Sequence, residues 1–175
     1  RHWRAQHLIG EMKAAGASKI IDIGCGLVYP AIFALAGFRV VAFDHSGECL
    51  RQVEEVANKW NVGDKVITCQ GKAEALPYPD NIYDSAVLGE ILEHVKYPET
   101  VLAEALRVVR TGGVVTASTP CGGHHMDPLH IGPSEGGWDD ASLDRLLEGY
   151  QVVTRKTIAE EGTDPSCYLF TVRKP

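Results

Sequence analysis

The sequence predicts an α/β fold, a doubly wound and mostly parallel sheet of seven strands, and three observations lead there. Short β-branched apolar runs alternate with segments of helical spacing, the pattern of repeated βαβ units. The first run, Ile20, Ile21 and Ile23, stops at Gly24-Cys25-Gly26. The second run, residues 39–43, stops at a carboxylate, Asp44. A glycine turn after one parallel strand and an acid after the next are what a nucleotide site needs at the carboxyl ends of a sheet.

The elements follow in order. Residues 1–15 carry Trp3, Leu8, Ile9 and Met12 at roughly helical spacing, and Gly16 closes them, so an amphipathic helix is expected. Its Trp3 and His2 are candidates to roof a site, with core packing the simpler role. The first strand follows. Pro30 then suits a first helical position, Ala31, Ile32, Ala34 and Leu35 continue the period, and Gly37 suits the end. After Asp44, Ser46 is a natural N-cap for a helix over 47–60, whose Leu50, Val53, Val56, Ala57 and Trp60 share a face. Residues 65–69 form a third strand. Pro77 and Pro79 mark the irregular loop that follows.

Residues 81–88 give a fourth strand, followed by Gly89, and residues 97–110 a helix with Val101, Leu102, Ala105, Leu106 and Val109 inward. Thr111-Gly112-Gly113 ends that helix, and 114–118 is the fifth strand. From 119 to 140 the composition turns to Pro, Gly, His and Asp, a long polar loop of the kind that is usually functional or disordered. A last helix over 139–150 precedes two final strands, 151–157 and 167–173, expected as an antiparallel hairpin at the sheet edge.

Two features of the first turn decide which nucleotide it suits. A dinucleotide fingerprint needs a third glycine at position 29, where this chain has Tyr29. Asp22, two residues ahead of the first glycine, opposes a pyrophosphate and suits a cationic ligand group. Both count against NAD.

These residues resemble a family. D-I-G-C-G, with a second strand ending F-D-H-S, is similar to the cofactor site of the class I S-adenosylmethionine-dependent methyltransferases, in the branch that includes the ubiquinone and menaquinone enzymes. The resemblance continues through G-K-A-E-A-L-P-Y at 71–78 and G-E-I-L-E-H-V-K-Y-P-E from Gly89. It implies a Rossmann-like sheet and binding of S-adenosylmethionine by Asp22, Gly24, Gly26, Asp44, His45, Ala73, Glu74 and Gly89, with Asp44 on the ribose hydroxyls. The chain departs from the family at Val28, where a further glycine is common, and at Lys72, where an acid usually accepts from the adenine amino group. Lysine has no acceptor. Glu74, Gln70, a backbone carbonyl or water would have to replace it.

Composition bounds the rest. With 175 residues, 45% hydrophobic and 23% charged, the chain suits one globular α/β domain spanning 1–175. No apolar run approaches the roughly 20 residues that cross a bilayer. Five cysteines without a C-x-x-C pair fit a reducing, cytoplasmic setting, and a net charge of −6 gives no general footprint for nucleic acid. The chain begins at Arg1 rather than methionine, so a segment before it that contributes to the site stays open.

Methyl transfer from a sulfonium is an in-line displacement and needs few side chains beyond those that orient the reactants. The histidine-rich loop, with His124, His125, Asp127 and His130, is the place for a base, and His130 is the chosen catalytic residue because D-P-L-H before a helix resembles an element of glycan and natural-product methyltransferases. Glu90, Glu93 and His94 would share a face if their segment were helical, and with His130 they resemble the magnesium site of small-RNA ribose 2′-O-methyltransferases. The same motif is common in metal-free relatives, and the expectation is no metal. The function expected is methylation of a small-molecule hydroxyl on a sugar or natural product. The alternatives are the metal-dependent RNA reaction and a non-catalytic cofactor-binding domain.

Overall fold

The computed structural model describes residues 3–121, 138–159 and 167–175. In chain order the elements are α1 (Trp3–Ala14), β1 (Lys19–Ile23), α2 (Tyr29–Leu35), β2 (Arg39–Asp44), α3 (Gly47–Lys59), β3 (Val66–Gln70), β4 (Tyr83–Gly89), α4 (Pro98–Val108), β5 (Val109–Pro120), α5 (Asp140–Leu147), β6 (Gln151–Ile158) and β7 (Cys167–Arg173). The strands form one seven-stranded sheet in the order β3-β2-β1-β4-β5-β7-β6. β1 pairs in parallel with both β2 and β4, so strand order reverses there and a crevice opens above its carboxyl end. β7 runs antiparallel to β5 and β6, which gives the expected edge hairpin.

Strand periodicity sorts side chains to the two faces. Ile20, Val40, Val87 and Leu169 pack under Leu8 and Met12 of α1 and Ala31 and Phe33 of α2. Ile21, Ile23, Val41, Leu88, Val115 and Phe170 pack under α4 and α5. Helices on both faces explain why the central strands read as nearly continuous apolar runs, and why Asp22, buried among them, is conspicuous.

The main departure from the sequence reading lies between α4 and β5. The helix stops at Val108, and the strand starts at Val109 rather than at 114. Val109 pairs with Tyr83, Arg110 reaches Asp84 at 2.9 Å, and the register shifts between Tyr83 and Ser85. A Cβ on Gly113 would stand 2.5 Å from the Asp84 carbonyl, so only glycine lets the two strands approach there. A β-branched run that also fits the helical period was taken by pairing instead of continuing the helix. The last helix is likewise shorter than expected, with Asp139 and Ser142 forming a capping box at its start.

Candidate functional site

The site is built from the carboxyl ends of β1, β2, β3 and β4. Gly24 and Gly26, with φ of 68° and 56°, turn the chain out of β1 in a conformation that side chains with a Cβ rarely adopt. The Gly24 amide donates to the Phe43 carbonyl at 2.8 Å and the Cys25 amide to the same oxygen at 3.3 Å, which ties the turn to β2. A Cβ on Gly24 would come within 2.3 Å of the Ile91 side chain. Gly89 ends β4, where a Cβ would press on the Tyr29 ring at 3.2 Å. Ile91 and Tyr29 thus pack directly over the two glycines beside the switch point.

Asp22 is 1% exposed, and neither carboxylate oxygen has a hydrogen-bond partner. Burial, then the nearby Asp44, pushes its carboxyl well above the usual range. A buried carboxyl held without a partner is costly unless something that binds supplies the missing charge. Asp44 is 9% exposed, and its Oδ1 accepts from the Ser46 amide at 2.8 Å. That bond fixes the carboxylate at the mouth of the turn. Ser46 in turn caps α3, accepting from the Cys49 amide at 3.2 Å.

Of the remaining expected cofactor residues, His45 borders this pair directly. The His45 imidazole is 86% exposed, with Nδ1 3.3 Å from Asp44 Oδ1. Gln70 donates to the His45 carbonyl at 2.9 Å and the Gly71 amide to the Asp44 carbonyl at 3.0 Å, so the loop holding Ala73 and Glu74 leaves the sheet beside Asp44. α4 fastens that loop from behind: Glu104 accepts from the Leu76 amide at 2.8 Å, and Arg107 donates to the carbonyls of Leu76 and Tyr78 at 3.1 and 2.8 Å. Ala73 packs on the core, and Glu74 is half-buried. Lys72 is exposed.

The segment after β4 is not the helix that would place Glu90, Glu93 and His94 on one face. Glu90 takes a φ of 58°, and only Leu92–His94 forms a single 3₁₀ turn. The Glu90 amide still pairs with the Ser118 carbonyl of β5 at 2.9 Å. The two acids consequently find different partners. Glu90 Oε2 lies 3.8 Å from Arg4 Nε of α1, whereas Glu93, 4% exposed, accepts from Thr119 Oγ1 of β5 at 3.0 Å. Burial, with Glu90 next, pushes the Glu93 carboxyl up to about 7. His94 Nε2 is 4.0 Å from Glu93 Oε1. His124, His125, Asp127 and His130 lie outside the described residues, as does His2.

The sequence reading passed over two side chains here, Cys25 and Cys49. Among the described residues, the one group of three whose ligand atoms lie within 4.8 Å of one another is Cys25, Asp44 and Cys49. Tyr29 was also missed. Its hydroxyl is pushed up to about 12 by burial and then by Glu90.

The donor set fits the cofactor that the resemblance implies. It offers one carboxylate at the mouth for a diol, a second, buried and without a hydrogen-bond partner among the described residues, for a cation, and a glycine turn whose positive φ side chains rarely adopt. Comparison with known proteins agrees. Residues 21–117, more than half of the chain, match the family model described as a methyltransferase domain. An uncharacterized methyltransferase of Mycobacterium avium is 36% identical over 135 residues, covering 73% of this chain and 50% of that protein. The 27-O-demethylrifamycin SV methyltransferase of Amycolatopsis mediterranei is 33% identical over 108 residues, covering 61% of this chain and 40% of that one. The chain therefore spans half or less of the length of these curated relatives. Among solved structures, the N-methyltransferase NodS of Bradyrhizobium japonicum WM9 in complex with S-adenosyl-L-homocysteine superposes with a TM-score of 0.76 at 16% identity, over 99% of this chain and 87% of that one. Among the described residues no helix is long and apolar enough to cross a membrane.

Proposed function

The chain belongs to the methyltransferase-domain family of the class I fold, and on that premise we propose that residues 1–175 act as one domain that transfers a methyl group from S-adenosylmethionine to a hydroxyl of a small molecule such as a sugar or natural product. The observation that carries the cofactor assignment is the pair of buried acids, Asp22 without partners and Asp44 at the mouth, on either side of the glycine turn. S-adenosylmethionine has a ribose diol and a cationic amino group, and lacks the phosphates that Asp22 would repel. The relative from Amycolatopsis mediterranei, whose name specifies an O-demethylated acceptor, supports the choice of oxygen. Five cysteines without a C-x-x-C pair support a cytoplasmic setting.

The bound cofactor supplies an activated methyl group on a sulfonium, which leaves the protein with positioning and proton handling. Asp44 holds the ribose hydroxyls through charge-assisted hydrogen bonds. Asp22 would face the amino group, whose positive charge favours the ionised carboxylate that burial disfavours. Gly24, Gly26 and Gly89 let backbone approach where side chains would block it. His45, Ala73 and Glu74 border the nucleoside end. His130 is assigned as the base that takes the acceptor's proton, since a neutral imidazole accepts near pH 7.

Asp44→Ala should weaken binding of S-adenosylhomocysteine by about 1.5–3 kcal/mol, because it removes those charge-assisted bonds. The variant should melt within a few degrees of the parent. Calorimetry and a thermal scan check both, and unchanged affinity would move the ribose away from β2. The reaction itself is tested by incubating labelled S-adenosylmethionine with a panel of hydroxyl-bearing sugars and phenolic natural products. Release of S-adenosylhomocysteine with label in one acceptor is expected. Retention of label on the protein, with no product from any acceptor, would point instead to a binding domain without catalysis.

A further inference from the structure

Cys25 lies inside the glycine turn after β1 and Cys49 in the first turn of α3, so nothing in their sequence spacing pairs them. The fold brings them together. The two sulfurs and an Asp44 carboxylate oxygen all lie within 4.8 Å of one another. Cys25 is 3% exposed, Cys49 half-buried, and each sits on an element fixed by other bonds: the Cys25 amide by Phe43, the Cys49 amide by Ser46. These are two soft ligands and one hard ligand held on a rigid frame.

Tetrahedral zinc with two thiolates and a carboxylate has ligand atoms roughly 3.6–3.8 Å apart, from Zn–S of about 2.3 Å and Zn–O of about 2.1 Å. The three atoms lie within 4.8 Å of one another, so no pair has to close by more than about 1.2 Å. We propose that Cys25, Cys49 and Asp44 form a binding site for a thiophilic divalent cation of the zinc class, and that this cation and the adenosyl cofactor exclude one another because both require the Asp44 carboxylate. Magnesium and calcium are poor fits, since they take oxygen ligands and reject sulfur. Three protein ligands leave the fourth position to water. Burial, the largest cause for each, pushes both thiols up, and a bound cation would displace their protons. Occupancy by the cation would thus report metal excess as loss of cofactor binding, a coupling that acts equally in both directions.

The exclusion half rests on the proposed cofactor role of Asp44. The metal half does not, and the test keeps them apart. Cobalt(II) is titrated into the reduced, metal-free protein under anaerobic conditions, following thiolate-to-cobalt charge-transfer and visible d–d absorption. One equivalent should bind with absorption typical of a tetrahedral thiolate site. Cys49→Ser should weaken cobalt binding at least 10-fold and remove most of the charge-transfer band, whereas Cys69→Ser should change neither. Saturating S-adenosylhomocysteine should weaken cobalt binding at least 10-fold. Absorption that survives Cys49→Ser, or no absorption from a protein that binds S-adenosylhomocysteine, would overturn the metal site. Simultaneous binding of cobalt and S-adenosylhomocysteine with unchanged affinities would overturn the exclusion. A protein that binds cobalt through Cys49 and ignores S-adenosylhomocysteine would contradict the cofactor reading and with it the shared use of Asp44.

Discussion

Replacing Asp22 with asparagine is expected to do two opposite things: weaken S-adenosylhomocysteine binding by roughly 10²–10³-fold, and raise the melting temperature of the cofactor-free protein. The first effect is the loss of the negative charge proposed to face the ligand's amino group in a buried setting, where leaving one partner of an ion pair alone costs about 3–5 kcal/mol. The second follows from the two carboxylate oxygens that have no partner and from the upward displacement of the carboxyl by burial. A group whose pKa is higher folded than unfolded lowers stability as pH rises above its unfolded value, near 3.9 for aspartate. Asparagine has no such dependence. The stabilisation should therefore be small at pH 4 and larger at pH 8, at about 2–4 °C per kcal/mol for a chain of this length. Thermal scans at the two pH values, beside calorimetry at pH 7.5, check it. A variant that is less stable at pH 8 would mean that Asp22 has a structural partner in the free protein.

His130→Ala should slow turnover by about 10²–10⁴-fold while leaving S-adenosylhomocysteine affinity within about twofold of the parent. That split separates a base from a binding residue. Activity should persist in EDTA, because Glu90 and Glu93 turn to different partners, Arg4 and Thr119, rather than converging on one helical face. Where zinc-class ions contaminate the preparation, chelation should even raise activity. Loss of activity in EDTA with rescue by magnesium or manganese would instead recast Glu90, Glu93, His94 and His130 as ligands and favour RNA ribose as the acceptor.

Much of this was legible in the chain because parallel strands covered on both faces have an unmistakable apolar pattern, and a polar break in it stands out. Asp22 and Asp44 are two such breaks, and the parallel pairing of β1 with β2 carries them to the carboxyl end of the sheet. The start of β5 was not legible, since Val108-Val109-Arg110 satisfies both periods and the choice is made by Tyr83 and Asp84 on the neighbouring strand. The reversal at Glu90 was hidden for a related reason. Its φ is positive while its amide pairs with the Ser118 carbonyl, and glutamate gives no local sign of it. The thiol pair beside Asp44 was equally invisible, because only the packing of α3 against β2 brings Cys49 to the glycine turn.

The central claim is that the crevice between β1, β2 and β4 holds an adenosyl sulfonium cofactor rather than a dinucleotide. Isothermal titration of the reduced, metal-free protein with S-adenosylmethionine, S-adenosylhomocysteine and NADH tests it most directly. One site for each of the first two and no heat of binding from NADH is the expected result, with the Asp44→Ala affinity loss seen for both. Saturable NADH binding, with no response to S-adenosylhomocysteine, would contradict the account.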